Sequence, residues 1–217
     1  YEGMTPEKII NKINDLFPDS IVTTDVGQNQ LWTTQYIRMD GKRQFLTSGG
    51  LGTMGYGLPA AIGASIGNPG NPVICISGDG GAQMNIQELA TAHALETPVI
   101  LCIFNNTYLG NVKQMQKMFY NKRYSSTCLR YSRSCNRQCR IDGTCTGGDY
   151  VPDFVKLAES YGCTGIRVEN EAQMDEAFKR AAENTKSVTL IEFMLDCEYD
   201  VYPMVPGGAA LSDMMFG

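Results

Sequence analysis

A nearly unbroken apolar stretch at residues 98–104, Pro-Val-Ile-Leu-Cys-Ile-Phe, constrains the fold more than any other feature of the sequence. It lacks the polar alternation of a strand with one wet face, so it is typical of a β-strand covered on both sides. Further strand-like segments occur at residues 21–24, 72–77, 165–168 and 188–195. Because helical patterns separate them, the sequence predicts an α/β fold, a three-layer αβα sandwich around a mainly parallel sheet.

The helical patterns start at Pro6, behind the hydroxyl cap of Thr5, and a loop from Gly27 leads into another helix that ends near Tyr36. Further helices are predicted at residues 58–66, 85–95, 109–120, 152–161 and 172–183. Residues 126–149 have no apolar period and are predicted to form a long surface loop.

Composition narrows the class of partner. The chain has 217 residues, 43% of them hydrophobic and 19% charged, which suits one α/β domain with a core. The net charge of -5 argues against nucleic acid or an anionic membrane as partner, and no apolar run reaches the roughly 18 residues of a membrane span. We expect a cytoplasmic protein, because Cys75, Cys102, Cys163 and Cys197 lie in apolar, core-like settings that suit reduced thiols.

Polar residues follow two successive predicted strands. Gly78, Asp79 and Gly80 follow one, and Asn105 and Asn106 follow the next. Carboxyl ends of parallel strands share one edge of the sheet, where ligands bind in open α/β folds. A carboxylate and an amide oxygen suit Mg²⁺, and close-packed glycines before a helix suit a phosphate. Either motif alone is typical of a tight turn or a strand-end cap, but the pair predicts a diphosphate bridged to Mg²⁺.

Longer segments then carry a resemblance to a known family. They lie at residues 26–32, 48–61, 106–110, 119–125, 152–158 and 201–206. With them the chain resembles the C-terminal, thiamine-diphosphate-binding domain of the catalytic subunit of acetolactate synthase. The resemblance implies that residues 1–217 are this one domain, with a Cys-rich insertion at about 126–149. The N-terminal pyrimidine-binding domain and the middle domain of the family are absent from the chain.

The resemblance also assigns site residues. It implies that Asp79, Asn106 and the main-chain oxygen of Tyr108 bind Mg²⁺. It implies cofactor contacts from Gln28, Asn29, Gly52, Met54, Gly78, Gly80, Gly81, Asn106, Tyr108, Leu109 and Gly110. In the family the Met54 side chain bends the cofactor, although a methionine in a glycine-rich turn is equally typical of core filling. Asn111 and Met115 are expected on the substrate side.

The implied activity joins two pyruvate molecules, or pyruvate and 2-oxobutyrate, with loss of CO2, in the biosynthesis of valine, isoleucine and leucine. FAD is expected in the parent enzyme, and the glutamate that activates the cofactor lies outside this chain, so the chain alone is expected to be inactive. The family pattern implies a homodimer or tetramer formed through the missing domains and leaves a regulatory subunit open as a partner.

The chain departs from the family at four positions. Asn29 stands where the family usually has His, and Gly81 where Ser is common. Asn111 replaces Met, and Met115 replaces a Trp that favours 2-oxobutyrate as the second substrate.

Two other functions remain open for the chain: a different thiamine-diphosphate decarboxylase or oxidase of 2-oxoacids, or a stand-alone cofactor-binding subunit. We expect His93 to be a surface or packed residue and Trp32 to belong to the core or an interface.

A second candidate site lies in the Cys-rich segment. Four thiolates within it are candidates for Zn²⁺ or an iron–sulfur cluster. The spacing contains no pair of cysteines two residues apart, so free thiols in a basic loop and two disulfides remain open alternatives. The residues are Cys128, Cys135, Cys139 and Cys145.

Overall fold

Six parallel strands form the central sheet of the computed structural model, which describes residues 3–130 and 152–217. The strands are β1 (Ile21–Thr24), β2 (Gln44–Thr47), β3 (Val73–Gly78), β4 (Ile100–Asn105), β5 (Thr164–Val168) and β6 (Thr189–Met194). Their order across the sheet is β2-β1-β3-β4-β6-β5, and every neighbouring pair is parallel.

Helices cover both faces of the sheet. They are α1 (Pro6–Leu16), α2 (Gln28–Tyr36), α3 (Gly57–Gly67), α4 (Asp79–Ala82), α5 (Leu89–Ala94), α6 (Gly110–Phe119), α7 (Phe154–Ser160) and α8 (Met174–Glu183). Short 3-10 turns occur at Ile86–Glu88, Glu171–Gln173 and Leu211–Asp213. The predicted αβα sandwich is confirmed. Across the described ranges, none of these helices combines the length and apolar character needed to cross a membrane.

The hydrophobic core is split by the sheet into two layers. On one face α1, α2 and α8 bury Ile9, Ile10 and Ile13 completely, and Trp32, Phe104, Phe193 and Phe178 are in successive ring contact. On the other face α3, α5 and α7 cover the sheet. Because full burial of a large apolar side chain contributes about 1.5–3 kcal/mol, both layers are needed to hold the sheet's edge residues in place.

The small residues of α3 allow this helix to lie very close to the sheet. A Cβ at Gly57 would come within 2.7 Å of the Asp25 nitrogen and 3.1 Å of the Cys75 sulfur. Thr23 Oγ1 donates a hydrogen bond of 3.0 Å to the Gly57 carbonyl oxygen, which joins the helix start to β1. The close approach brings the glycine-rich turn before α3 to the carboxyl end of β1.

Chain order places a crevice between β1 and β3. From β1 the chain passes to β2 on one side, and β3 then pairs on the other side of β1. This reversal is the switch point at which ligands bind in doubly wound sheets. The residues that follow β1, β3 and β4 therefore meet at one edge.

The sequence did not predict β2. Its four residues are half-buried or exposed at the edge of the sheet, so they carry neither the apolar run of a central strand nor a clear alternation. The segment at residues 85–95, predicted as one helix, is a 3-10 turn followed by the shorter α5. The short helix α4, at the glycine motif after β3, was not predicted.

Two core cysteines should be chemically silent in the folded chain. Burial raises the pKa of Cys75 to about 12 and that of Cys102 well above its ordinary value, so the reactive thiolate is scarce at pH 8. We expect neither to react with a maleimide in the native chain, and both to react in guanidinium, as measured by mass spectrometry of each cysteine peptide. Labelling of Cys75 in the native chain as rapid as in guanidinium would contradict the burial.

Candidate functional site

A cleft enclosing about 610 Å³ not filled by protein atoms opens at the carboxyl ends of β1, β3 and β4. Its wall contains nearly every residue that the sequence assigned to the cofactor, the metal or the substrate. These are Gln28, Asn29, Met54, Gly78, Asp79, Gly80, Gly81, Asn106, Tyr108, Leu109, Gly110 and Asn111. The fold thus brings together residues from four separate segments of the chain.

Two of the assigned residues lie elsewhere. Gly52 is outside the cleft wall, in the turn that leads to Met54, with a positive φ of 69°. Met115 lies on α6 and lines a neighbouring cavity with Gln116 and Tyr124. Val112 borders both spaces, so the two cavities adjoin.

Asp79 and Asn106 occupy neighbouring turns that are joined by a hydrogen bond from the Thr107 main-chain N–H to the Asp79 carboxylate. Asp79 is 1% exposed, and its two carboxylate oxygens accept the N–H groups of Gly80 at 2.8 Å and Thr107 at 2.6 Å. Asn106 Oδ1 accepts the Tyr108 N–H at 3.1 Å, and its Nδ2 donates to Gln28 Oε1 at 3.2 Å. The two side chains that the sequence predicted as metal ligands therefore lie at the ends of adjacent strands.

The charge of Asp79 is poorly compensated. Burial raises the pKa of Asp79 to about 7, although hydrogen bonds from Gly80 and Thr107 favour the ionised form. Within residues 3–130 and 152–217, no lysine or arginine forms an ion pair with it. A buried carboxylate without a cation is costly, and a divalent metal would supply the missing positive charge.

Two helices begin at the wall of the cleft. The first residues of α2, Gln28 and Asn29, and those of α6, Gly110 and Asn111, all line it. The first N–H groups of a helix have no partners within the helix and carry the positive end of its dipole. The cleft therefore suits an anion placed beside a cation at Asp79.

The side chains of Gln28 and Asn29 hold the wall together. Gln28 Nε2 donates to Gln114 Oε1 at 3.0 Å and to the Tyr199 carbonyl at 3.2 Å. Asn29 Nδ2 donates to the carbonyl oxygens of Asp25 at 2.9 Å and Ile76 at 3.1 Å. The resemblance implied a cofactor contact from Asn29, but both hydrogens of its side-chain amide are engaged here. Main-chain N–H groups are the donors that remain.

Asp25 is a site residue that the sequence reasoning missed. It is 1% exposed at the end of β1, and its carboxylate accepts the N–H groups of Val26 at 2.9 Å, Gly55 at 2.9 Å and Gly57 at 3.0 Å. These bonds fix the turn that carries Met54, whose side chain is 37% exposed at the cleft. Its place directly after a β-branched strand and two residues before a glycine was the available signal.

Asp25 also explains the glycine at position 81. A Cβ there would collide with Asp25 Oδ1, so a hydrogen is all that this arrangement accommodates. The serine that the family commonly has would require Asp25 to move.

The segment that begins the predicted surface loop lies against the site. Thr127 is 2% exposed, and its carbonyl accepts the Leu109 N–H at 2.8 Å, while the Leu129 N–H donates to the Thr107 carbonyl at 2.9 Å. Tyr108 and Cys128 face each other across this antiparallel bridge. Residues 127–130 therefore form part of the support of the Asn106 turn.

The proposed cysteine site falls mainly outside the described residues. Cys128 is within them, whereas Cys135, Cys139 and Cys145 are not. In the part of the chain that is described, no three His, Cys, Asp or Glu side chains are grouped to hold a metal ion. The thiolate-site hypothesis stays a prediction.

The two remaining residues of interest are structural. His93 on α5 is exposed and packs against Gly162, where a Cβ would come within 2.7 Å of its ring. Trp32 is 4% exposed and packs on Phe104 at the floor of the cleft. His93 was expected to be a surface or packed residue and Trp32 a core or interface residue, and the structure agrees with both.

Comparison with known proteins identifies the class. The chain belongs to the family described as "Thiamine pyrophosphate enzyme, C-terminal TPP binding domain", which it matches over residues 25–193. Thiamine pyrophosphate is the same molecule as thiamine diphosphate, so the predicted class of cofactor-binding domain is confirmed.

Particular relatives are more specific. The chain is 43% identical over 97% of its length to a probable acetolactate synthase large subunit of Methanococcus aeolicus. It is 40% identical over 96% to an acetolactate synthase of Mycobacterium bovis, and 38% identical over 98% to an acetolactate synthase large subunit of Corynebacterium glutamicum. It spans 33%, 31% and 32% of these proteins, about a third of their length.

The buried Asp79 predicts a pH-dependent stability. Its pKa is 3.8 in the unfolded reference and about 7 in the folded chain, so folding favours the protonated form. The contribution of Asp79 to the free energy of unfolding is therefore complete below about pH 4, and it is lost as the pH rises through 7 and the buried carboxyl ionises. Asp79→Asn cannot ionise, so in EDTA the wild type should lose free energy of unfolding relative to this variant between pH 5 and 8. The measurement is urea unfolding of both proteins at each pH. A difference in free energy of unfolding between wild type and Asp79→Asn that does not change with pH would contradict this prediction.

Proposed function

We propose that this chain is the thiamine-diphosphate- and Mg²⁺-binding domain of a cytoplasmic acetolactate synthase. The parent enzyme would condense two pyruvates, or pyruvate with 2-oxobutyrate, with release of CO2. The observation that carries the proposal is the cleft in which Asp79 and Asn106 meet the first turns of α2 and α6. Similarity over nearly the whole chain to proteins named acetolactate synthase supports the choice within the class.

Different residues of the cleft would bind the metal ion and the diphosphate of the cofactor. Asp79, Asn106 and the main-chain oxygen of Tyr108 would bind Mg²⁺, because hard oxygen ligands with a single carboxylate leave room for phosphate oxygens. Main-chain N–H groups at the start of α2 and α6 would hold the diphosphate. When bound, thiamine diphosphate supplies an electron sink for decarboxylation of a 2-oxoacid.

The glycine-rich turn would place the reactive end of the cofactor. Asp25 fixes the N–H groups of Gly55 and Gly57, which supports the turn that brings Met54 to the cleft wall. The backbone of Gly52, in the same turn, would contact the cofactor from outside this wall. The half-exposed Met54 side chain is then free to press on the cofactor and bend it. Val26, Leu109 and Val112 add apolar surface that excludes water from the same space.

Asn111 and Met115 would face the substrates. Asn111 lines the cleft, and its Oδ1 is buried without a hydrogen-bond partner among the described residues. Such an acceptor gains from a ligand donor, since an unsatisfied buried polar atom is costly. Met115 lines the adjoining cavity, which suits a site for the second 2-oxoacid.

The remaining parts of the enzyme would come from outside these residues. These parts are the glutamate that activates the cofactor, the FAD and the contacts that form a dimer or tetramer. A regulatory partner fits the words "large subunit" in the names of relatives. Within the Cys-rich insertion at about 126–149, only residues 127–130 are given a role, the support of the Asn106 turn.

Cofactor binding tests the site directly. Thiamine diphosphate titrated into the chain with Mg²⁺ should bind, and Asp79→Ala should weaken binding by roughly tenfold or more, because it removes the only carboxylate ligand. Calorimetry, or the fluorescence of Trp32, the sole tryptophan, measures this. Asp175→Ala, an exposed carboxylate on α8, is the matched control. Equal binding by wild type and Asp79→Ala would reject the metal site.

Product analysis tests the reaction. Pyruvate turned over by the longest available protein containing this chain, with thiamine diphosphate, Mg²⁺ and FAD, should yield acetolactate. Acetaldehyde or acetate as the main product would instead identify a decarboxylase or an oxidase. Acetolactate formed by the 217-residue chain alone would reject the proposal that a glutamate from elsewhere is needed.

Met115 gives a specificity prediction in the same assay. With pyruvate and 2-oxobutyrate in competition, Met115→Trp should raise the share of acetohydroxybutyrate, because a larger apolar wall favours the larger acceptor. Met118→Trp, one turn away on α6, controls for the added bulk. An unchanged product ratio would remove Met115 from acceptor selection.

A further inference from the structure

The residue between the proposed metal ligands adopts a strained backbone conformation. Thr107 has a φ of 63°, and it stands between Asn106 and Tyr108. A β-branched residue rarely adopts this left-handed conformation, and it persists only where surrounding contacts hold it. The orientation of both proposed ligands follows from the backbone of Thr107.

Every polar group of Thr107 is engaged. Its N–H donates to Asp79 Oδ2 at 2.6 Å and to Asn105 Oδ1 at 3.1 Å, and its carbonyl accepts the Leu129 N–H at 2.9 Å. Its hydroxyl oxygen accepts a hydrogen bond from Arg130 Nε at 2.9 Å. Thr107 itself is 5% exposed, so these bonds are shielded from water.

One set of these contacts comes from the sheet. Asn105 Nδ2 donates to Glu192 Oε1 at 2.7 Å, and Arg167 Nε donates to Glu192 Oε2 at 2.8 Å. Arg167 also reaches Asp153 at 2.9 Å. Since Asn105, Glu192 and Arg167 lie on the adjacent strands β4, β6 and β5, this support is rigid.

The other set comes from residues 127–130, outside the sheet. Here Arg130 provides the only described side-chain contact to the Thr107 hydroxyl. A charged donor makes a stronger hydrogen bond than a neutral one, particularly where water is excluded. Arg130 is therefore placed to fix the outer side of the turn.

We propose that Arg130 is a positioning residue for the metal site: it holds Thr107 in its left-handed conformation and so aligns Asn106 and Tyr108 for Mg²⁺ and the diphosphate. The inference rests on the proposed function, because it takes these two residues as metal ligands. Arg130 acts through Thr107 and is not assigned a contact with the cofactor.

A titration of Mg²⁺ at fixed thiamine diphosphate, followed by calorimetry on the 217-residue chain, tests this. Arg130→Ala should raise the Mg²⁺ concentration at half-saturation roughly three- to tenfold, as expected for one lost hydrogen bond. Arg130→Lys, which keeps a charged donor, should recover part of the loss. Arg180→Ala, an exposed arginine on α8, is the matched control.

A double-mutant cycle separates positioning from a general effect on folding. Thr107→Val keeps the branched shape but removes the hydroxyl, so it should shift the Mg²⁺ requirement by the same factor as Arg130→Ala. The double variant should then be no worse than either single variant. The urea midpoint of the ligand-free chain should change little in all three.

The outcomes distinguish the two proposals. Wild-type binding with no shift in Arg130→Ala, or single effects that multiply in the double variant, would overturn the role of Arg130. Failure of the wild type to bind thiamine diphosphate with Mg²⁺ would overturn the proposed function instead.

Discussion

The hydrogen bond from the Thr107 N–H to the buried carboxylate of Asp79 joins the two turns on which the cleft depends. Asp79 follows β3 and Thr107 follows β4, so this contact fixes the ends of two central strands relative to each other. Without it, the carboxylate and the amide oxygen of Asn106 would have no common geometry. The parallel sheet makes the contact available, because it brings both carboxyl ends to one edge.

The two buried carboxylates at this site, Asp25 and Asp79, have different roles. Asp25 is saturated by the N–H groups of Val26, Gly55 and Gly57, so it fastens the glycine-rich turn and leaves little capacity for a ligand. Asp79 has fewer donors, and burial raises its pKa to about 7. The first arrangement is typical of a structural anchor, and the second of a group that awaits a cation.

The cleft is also tied to the end of the chain. Asn106 donates to Gln28, Gln28 donates to Gln114, and Gln114 both donates to the Val201 carbonyl and accepts its N–H. Lys113 on the same helix reaches Glu198 at 2.6 Å. Buried side-chain amides therefore link the Asn106 turn to residues 198–201.

The sequence by itself determined the αβα architecture and placed Asp79 and Asn106 at one edge of the sheet. Apolar periodicity is a local property, and consecutive parallel strands joined by helices have their carboxyl ends at the same edge. It did not determine the edge strand β2, whose residues lack a periodic signal. Only the tertiary structure showed that Asp25 fastens the glycine-rich turn, that Asn29 has no free side-chain donor, and that residues 127–130 support Thr107. These are choices of hydrogen-bond partner between segments distant in sequence, and they depend on distances and directions that no spacing along the chain encodes.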